Sequence, residues 1–221
     1  MAPFRFHTAD LDALESGALY WAAERLLCVS DLHLGKSERI ARRGGALLPP
    51  YDTRETLDRL SAEIARHDPA TVICLGDSFD DLDALDRLAE AARRHLLTLM
   101  AGRRWIWIEG NHDPGPTDLG GEHLFEASIN SLTFRHVAEP GTPPGEVSGH
   151  YHPKASLTLR GRRVSSACFL SDATRLILPA FGAYTGGLKV SDPAVSNLMM
   201  PEACVRLTRA PQHAIPLRLV A

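Results

Sequence analysis

The chain has 221 residues, 44% hydrophobic and 23% charged, the composition of an ordinary soluble globular protein with room for one sizeable core. Its formal net charge of −3 argues against a wholly basic nucleic-acid surface, although a local basic strip remains compatible with it. No apolar run approaches the roughly 18 residues of a membrane span, and the start MAPFRFHTADLDALE lacks the apolar stretch of a signal peptide, so no membrane contact and a cytoplasmic location are expected. Cys28, Cys74, Cys168 and Cys204 lie far apart with no CxxC pair, which predicts buried free thiols in a reducing compartment.

Residues 18–22 and 25–29 are expected to pair as a hairpin. The apolar run 25–30 reads as a buried strand, followed at once by Asp31-Leu32-His33. Residues 35–50, rich in charge and glycine, read as a loop. Asp52 is placed as an N-cap with Glu55 three residues on, opening a helix that buries Leu57, Leu60 and Ile64. Thr71–Leu75 is a second buried strand, ending at Gly76-Asp77. A second helix is expected from Asp81, its N-cap, to about residue 99, with Leu82, Leu85, Leu88 and Leu96 on its apolar side and Asp80 and Asp83 as charges suiting its dipole. Arg104–Ile108 is a third strand, ending at Gly110-Asn111-His112-Asp113.

After Pro114 the pattern changes. Short runs at 131–136, 146–148, 156–159, 163–170 and 175–178 predict antiparallel strands, with a last pair at 204–208 and 214–220. Gly149-His150-Tyr151-His152 falls among them. No long linker or internal repeat is visible, so residues 1–221 are expected to form a single α/β domain: a four-layer α-β-β-α sandwich with helices outside two packed mixed sheets.

The four motifs place Asp, His and Asn side chains at strand ends, where parallel sheets gather their ligands. Asp, Asn and His suit hard to borderline divalent cations. Asp31 and His33 can reach one ion, Asp77 has two oxygens with which to bridge two, Asn111 can offer its amide oxygen, and His150 and His152 can serve different ions. Two ions about 3.5–4 Å apart can hold a bridging hydroxide for in-line attack on a phosphate ester.

The order D-x-H, G-D, G-N-H-D, a lone H, then G-H-x-H across residues 31–152 resembles the calcineurin-type metallophosphoesterases. The resemblance implies a first metal on Asp31, His33, Asp77 and His152, and a second on Asp77, Asn111, a lone histidine and His150. That histidine is assigned to His136, after a predicted strand, rather than to His123 in what reads as a surface loop. It also implies that His112 faces the phosphate, as charge stabiliser or proton donor, with Asp113 orienting it.

Metal ligands do not choose a substrate; the surrounding loops do. Lys36, Arg39, Arg42 and Arg43 can hold flanking phosphates, and Tyr51, Tyr151 and Tyr184 are candidate platforms for unpaired bases. The fuller wording Asp31-Leu-His-Leu-Gly-Lys36, Gly76-Asp-Ser-Phe79, Gly149-His-Tyr-His-Pro153 and Pro179-Ala-Phe-Gly-Ala-Tyr-Thr-Gly-Gly187 resembles the bacterial DNA-ligase-associated branch of that superfamily. This implies a manganese-dependent phosphodiesterase, an endonuclease on single-stranded DNA in repair, linked in function with a ligase, a helicase and a nuclease. Iron or zinc would also suit the residues. The alternatives are a hydrolase of phosphomonoesters, nucleotides or lipid-linked pyrophosphates, and a non-catalytic scaffold.

Overall fold

The computed structural model describes residues 3–45, 48–81, 83–115, 117–159, 162–209 and 213–220. Strands β1 Phe4–Phe6, β2 Ala9–Ala13, β3 Leu19–Trp21, β4 Leu26–Val29, β5 Thr71–Leu75, β6 Arg104–Ile108 and β7 Glu122–Leu124 form a seven-stranded sheet in chain order. The first four run antiparallel, the expected β3–β4 hairpin among them, and β4 to β7 run parallel. A second, eight-stranded sheet contains β8 Glu126–Ile129, β9 Leu132–Arg135, β10 Glu146–Ser148, β11 Lys154–Leu159, β12 Arg162–Ser171, β13 Arg175–Ile177, β14 Cys204–Leu207 and β15 Ile215–Pro216. Its order is β15-β14-β12-β13-β10-β9-β8, with β11 beside β12.

Side-chain alternation explains why the sheets stack. Successive residues of a strand point to opposite faces, and a strand covered on both sides is apolar throughout. Leu27, Val29, Val72, Cys74, Trp105 and Trp107 face helices α2 Asp52–His67 and α3 Glu90–Met100, meeting Leu57, Leu60, Ile64, Leu96 and Leu99. Their neighbours Leu26, Cys28, Ile73, Leu75, Ile106 and Ile108 face the second sheet and meet Phe134, Val147, Phe169, Leu176 and Leu178. The far face of that sheet, with Cys168, Leu170, Ile177 and Val205, is covered by the one-turn α4 Pro193–Ser196 and its flanking segments. The two packed mixed sheets match the expected fold, but the fourth layer is thin.

Four local expectations are corrected. Within 35–50 the chain forms helix α1 Lys36–Arg42. Asp52 is the first residue of α2 rather than its cap, and its carboxylate accepts from the Ser37 amide (3.0 Å) and hydroxyl (2.5 Å), securing α1 instead. The helix expected from Asp81 begins only at Glu90; residues 83–88 are turns, Asp81 pairs with Arg42, and Leu82 lies outside the described residues. The second sheet is not wholly antiparallel, because β10 runs parallel to both β9 and β13. Strands β1 and β2 were not foreseen.

All four cysteines are free, three of them buried, and burial pushes the Cys168 thiol up to about 12. Among the described residues no helix is long and apolar enough to cross a membrane.

Phe169 is fully buried where the sheets meet. Phe169→Ala is therefore expected to cost about 3–5 kcal/mol of stability. The check is a fall in urea midpoint at unchanged denaturant slope.

Candidate metal centre

The ends of β4, β5 and β6 deliver Asp31 and His33, Asp77, and Asn111 and His112 to one edge of the first sheet. From the second sheet, β9 ends just before His136 and β10 just before Gly149-His150. Because these two strands are parallel, both histidines emerge on the same side, and the Gly149 amide donates to the His136 carbonyl at 2.9 Å. The His150 amide then donates to Asp31 Oδ2 across the sheets at 3.0 Å.

Turning each side chain back over its strand end requires unusual backbone. Asp31 (φ 53°), His33 (46°), Asp77 (45°), His150 (69°) and His152 (47°) are all left-handed. Such residues cost about 1–3 kcal/mol each and persist where the surroundings over-determine them. Two motif glycines serve close approach. A Cβ on Gly149 would strike Ser30 and the Asp31 carboxylate, and one on Gly110 would strike Asp77 and Asp113.

Three groups of ligand atoms converge, His33, Asp80 and His112 among them, and two draw only on residues expected to bind metal. In the first, His152 Nε2 lies 3.0 Å from Asp31 Oδ1, with His33 alongside and its Nε2 4.0 Å from Asp77 Oδ2. Asp31 Oδ1, His152 Nε2 and His33 Nε2 are buried without a hydrogen-bond partner. In the second, His136 Nδ1 sits 2.8 Å from the Leu75 carbonyl. That contact makes Nδ1 the proton-bearing nitrogen and leaves the Nε2 lone pair facing inward. Nε2 lies 3.5 Å from Asp77 Oδ2, 3.0 Å from Asn111 Oδ1 and 3.2 Å from His150 Nδ1.

Acceptor atoms converging this way repel one another unless a cation lies among them, so the residues fit divalent ions at both sets. The electrostatics agree. Burial opposes ionisation of Asp31 and Asp77, yet the facing histidines His152 and His136 hold both below the usual carboxylate range. Burial also opposes a charge on His136, but Asp77 and Asp31 raise it to about 9. The pocket favours positive charge.

Around these sets the structure redistributes the expected roles. His112 Nδ1 meets the Asp80 carbonyl at 2.8 Å, which leaves Nε2 for the site opening. Asp113, expected to orient His112, instead accepts from the amides of Ser78 (2.7 Å) and Phe79 (3.1 Å), clamping the loop between Asp77 and Asp80. Burial and the nearby Asp77 charge raise Asp113 to about 7. Asp80, read as a first-turn charge, is fully buried, lies 2.8 Å from His33 Nδ1 and contacts Arg39 and Lys36. Its signal was present in the sequence, three residues after Asp77, but the helix assigned there concealed it.

Lys36 and Arg39 are therefore engaged by Asp80 rather than free for substrate. Arg42 pairs with Asp81 at 2.7 Å, and Arg43, 63% exposed at its side chain, reaches Asp81 at 3.7 Å. These two arginines, with Asp83, Asn111 and His112, line a depression of about 380 Å³ at the mouth of the site. Tyr151 stands edge-on to His150 (5.0 Å, 83°) and packs on the outer core, so it braces the histidine and is not an open platform. His123 lies in β7, stacked on Trp107 with its Nε2 3.3 Å from Thr117, apart from both ligand sets.

Comparison with known proteins places this geometry. The family model for calcineurin-like phosphoesterases matches residues 24–166. A solved structure, the Pseudomonas putida nuclease MPE, superposes with a TM-score of 0.72 at 29% identity, covering 97% of this chain and 98% of that one. No curated protein sequence matches significantly.

Asp80→Asn is expected to leave the fold intact and weaken divalent-cation binding about 10–100-fold, because supporting partners orient ligand imidazoles. Calorimetric titration with Mn²⁺ measures this, and unchanged affinity would show that His33 needs no such support.

Proposed function

The chain belongs to the calcineurin-like phosphoesterase family and is a metal-dependent phosphoesterase; from that premise we propose that it is an endonuclease cutting single-stranded DNA in repair. The likeness to a nuclease along nearly the whole of both chains carries this reading. The arginine-lined mouth supports it, since Arg43 stands largely exposed beside Asn111 and His112, where a flanking phosphate would lie. A functional link with a ligase, a helicase and a second nuclease belongs to the same reading.

In this reading Asp31, His33, Asp77 and His152 hold one divalent ion, and Asp77, Asn111, His136 and His150 hold the other. The pair, which we take to be manganese, supplies charge neutralisation at the phosphate and activation of water. The protein's own groups do the rest. Arg43 orients the strand, with Arg42 held beside it by Asp81. His112, its Nδ1 fixed by the Asp80 carbonyl, presents Nε2 to the phosphate and in its protonated form passes a proton to the departing oxygen. Asp113 keeps Asp77 and Asp80 in register through the backbone of 78–79. The chain occupies residues 1–221 as one domain, and a cytoplasmic setting suits its free thiols.

Metal-stripped protein resupplied with Mn²⁺ is expected to cut single-stranded DNA and bis-p-nitrophenyl phosphate. His112→Ala should still bind metal yet turn over about 10²–10⁴-fold more slowly. Undiminished turnover would remove His112 from the mechanism, and activity confined to p-nitrophenyl phosphate would replace the nuclease by a phosphomonoesterase.

A further inference from the structure

A second groove opens at the same centre and shares Asn111 with the depression that carries Arg42 and Arg43. It holds about 280 Å³ and is lined by Asn111, His136, Pro114, Phe125, Val137, Arg135, Glu109 and Glu139 among others. Phe125 is 66% exposed and Val137 37% exposed. Phe125 sits at the corner where the chain leaves β7, the edge of the first sheet, and enters β8, the edge of the second. Neither sheet covers it, and the Glu109 amide bonding to the Leu124 carbonyl at 3.0 Å fixes the strand before it.

The charges decide what this groove can take. Arg135, 12% exposed at its side chain, is consumed by Glu126 (2.6 Å) and Glu139 (2.5 Å). Glu109 has no ion-pair partner among the described residues. The groove is therefore acidic in charge, which repels a phosphate, while it also offers an exposed aromatic ring and a branched aliphatic side chain. A flat, uncharged, nitrogen-rich ring suits both: its face stacks on Phe125 and an exocyclic amino group donates to the Glu109 carboxylate.

Resting on the nuclease reading, we propose that the Phe125–Val137 groove binds the nucleobase on one side of the scissile phosphate, while the backbone on the other side runs along Arg43. The centre is thus polar in direction, with Asn111 lining both the depression that carries Arg43 and the groove that carries Phe125. Such a site reads an unstacked base, as only a single strand presents one at low cost.

The test uses dinucleoside monophosphates, which carry one phosphodiester, with an abasic sugar on the 5′ or the 3′ side, cleaved by the manganese-loaded full chain. Removing the base on one side, and not the other, is expected to raise KM roughly tenfold, the fold-change of a lost base–aromatic stack. Phe125→Ala should raise KM for the intact substrate by a similar factor, add nothing for the abasic one, and be rescued by Phe125→Trp. Trp fluorescence of Phe125→Trp should be quenched by the intact substrate only. Equal KM for all substrates, or losses from the variant and the abasic sugar that multiply, would overturn the inference while leaving cleavage itself in place. No cleavage of any DNA by the wild type would instead remove the nuclease reading, and this groove's assignment with it.

Discussion

Two buried carboxylates, Asp31 and Asp77, face imidazole nitrogens of His152 and His136 at 3.0 and 3.5 Å, an arrangement that holds only with positive charge between or on the facing groups. The rest of the structure serves that demand. Carboxylates buried without compensation would neutralise themselves or unfold the site. Here they stay ionised because His136 and His152 meet them, and because backbone amides of His112 and His150 donate into them at 2.9 and 3.0 Å. Asp77 contacts members of both ligand sets, so it couples them into one centre.

That coupling constrains the backbone. Five of the residues assigned to metal binding adopt left-handed conformations just past the ends of buried strands. The buried sheets supply the rigidity against which such strain can be held. The interlayer core also sets the distance between the sheets, and the Asp31–His150 contact crosses that gap. Stability and site geometry are therefore the same problem at this edge.

Much of this was legible in the sequence because the ligands sit immediately after continuous apolar runs, a local signal. The strand ends at Asp31, Asp77 and Asn111 needed no tertiary knowledge, and the presence of a second sheet followed from the break in pattern after Pro114. The parts that escaped reading depend on contacts distant in the chain. Helix α1 starts at Gly35 without a side-chain cap of its own and is secured by Asp52. The Asp80–Asp83 run looks like a helix start, yet its charges are spent on His33 and on the arginines of α1. The parallel pairing of β9 with β10, which brings His136 beside His150, has no local signature either. The basic residues illustrate the limit best: identical in sequence character, Arg39 is held by the buried Asp80 while Arg43 stands open.

The central claim is a pair of ions sharing Asp77. Metal content per chain, measured by mass spectrometry on manganese-loaded protein after gel filtration, tests it most directly. About two ions are expected in the wild type, about one in His136→Ala and almost none in Asp77→Asn, since losing the bridge weakens both positions. A wild type holding one ion, or Asp77→Asn still holding two, would contradict it.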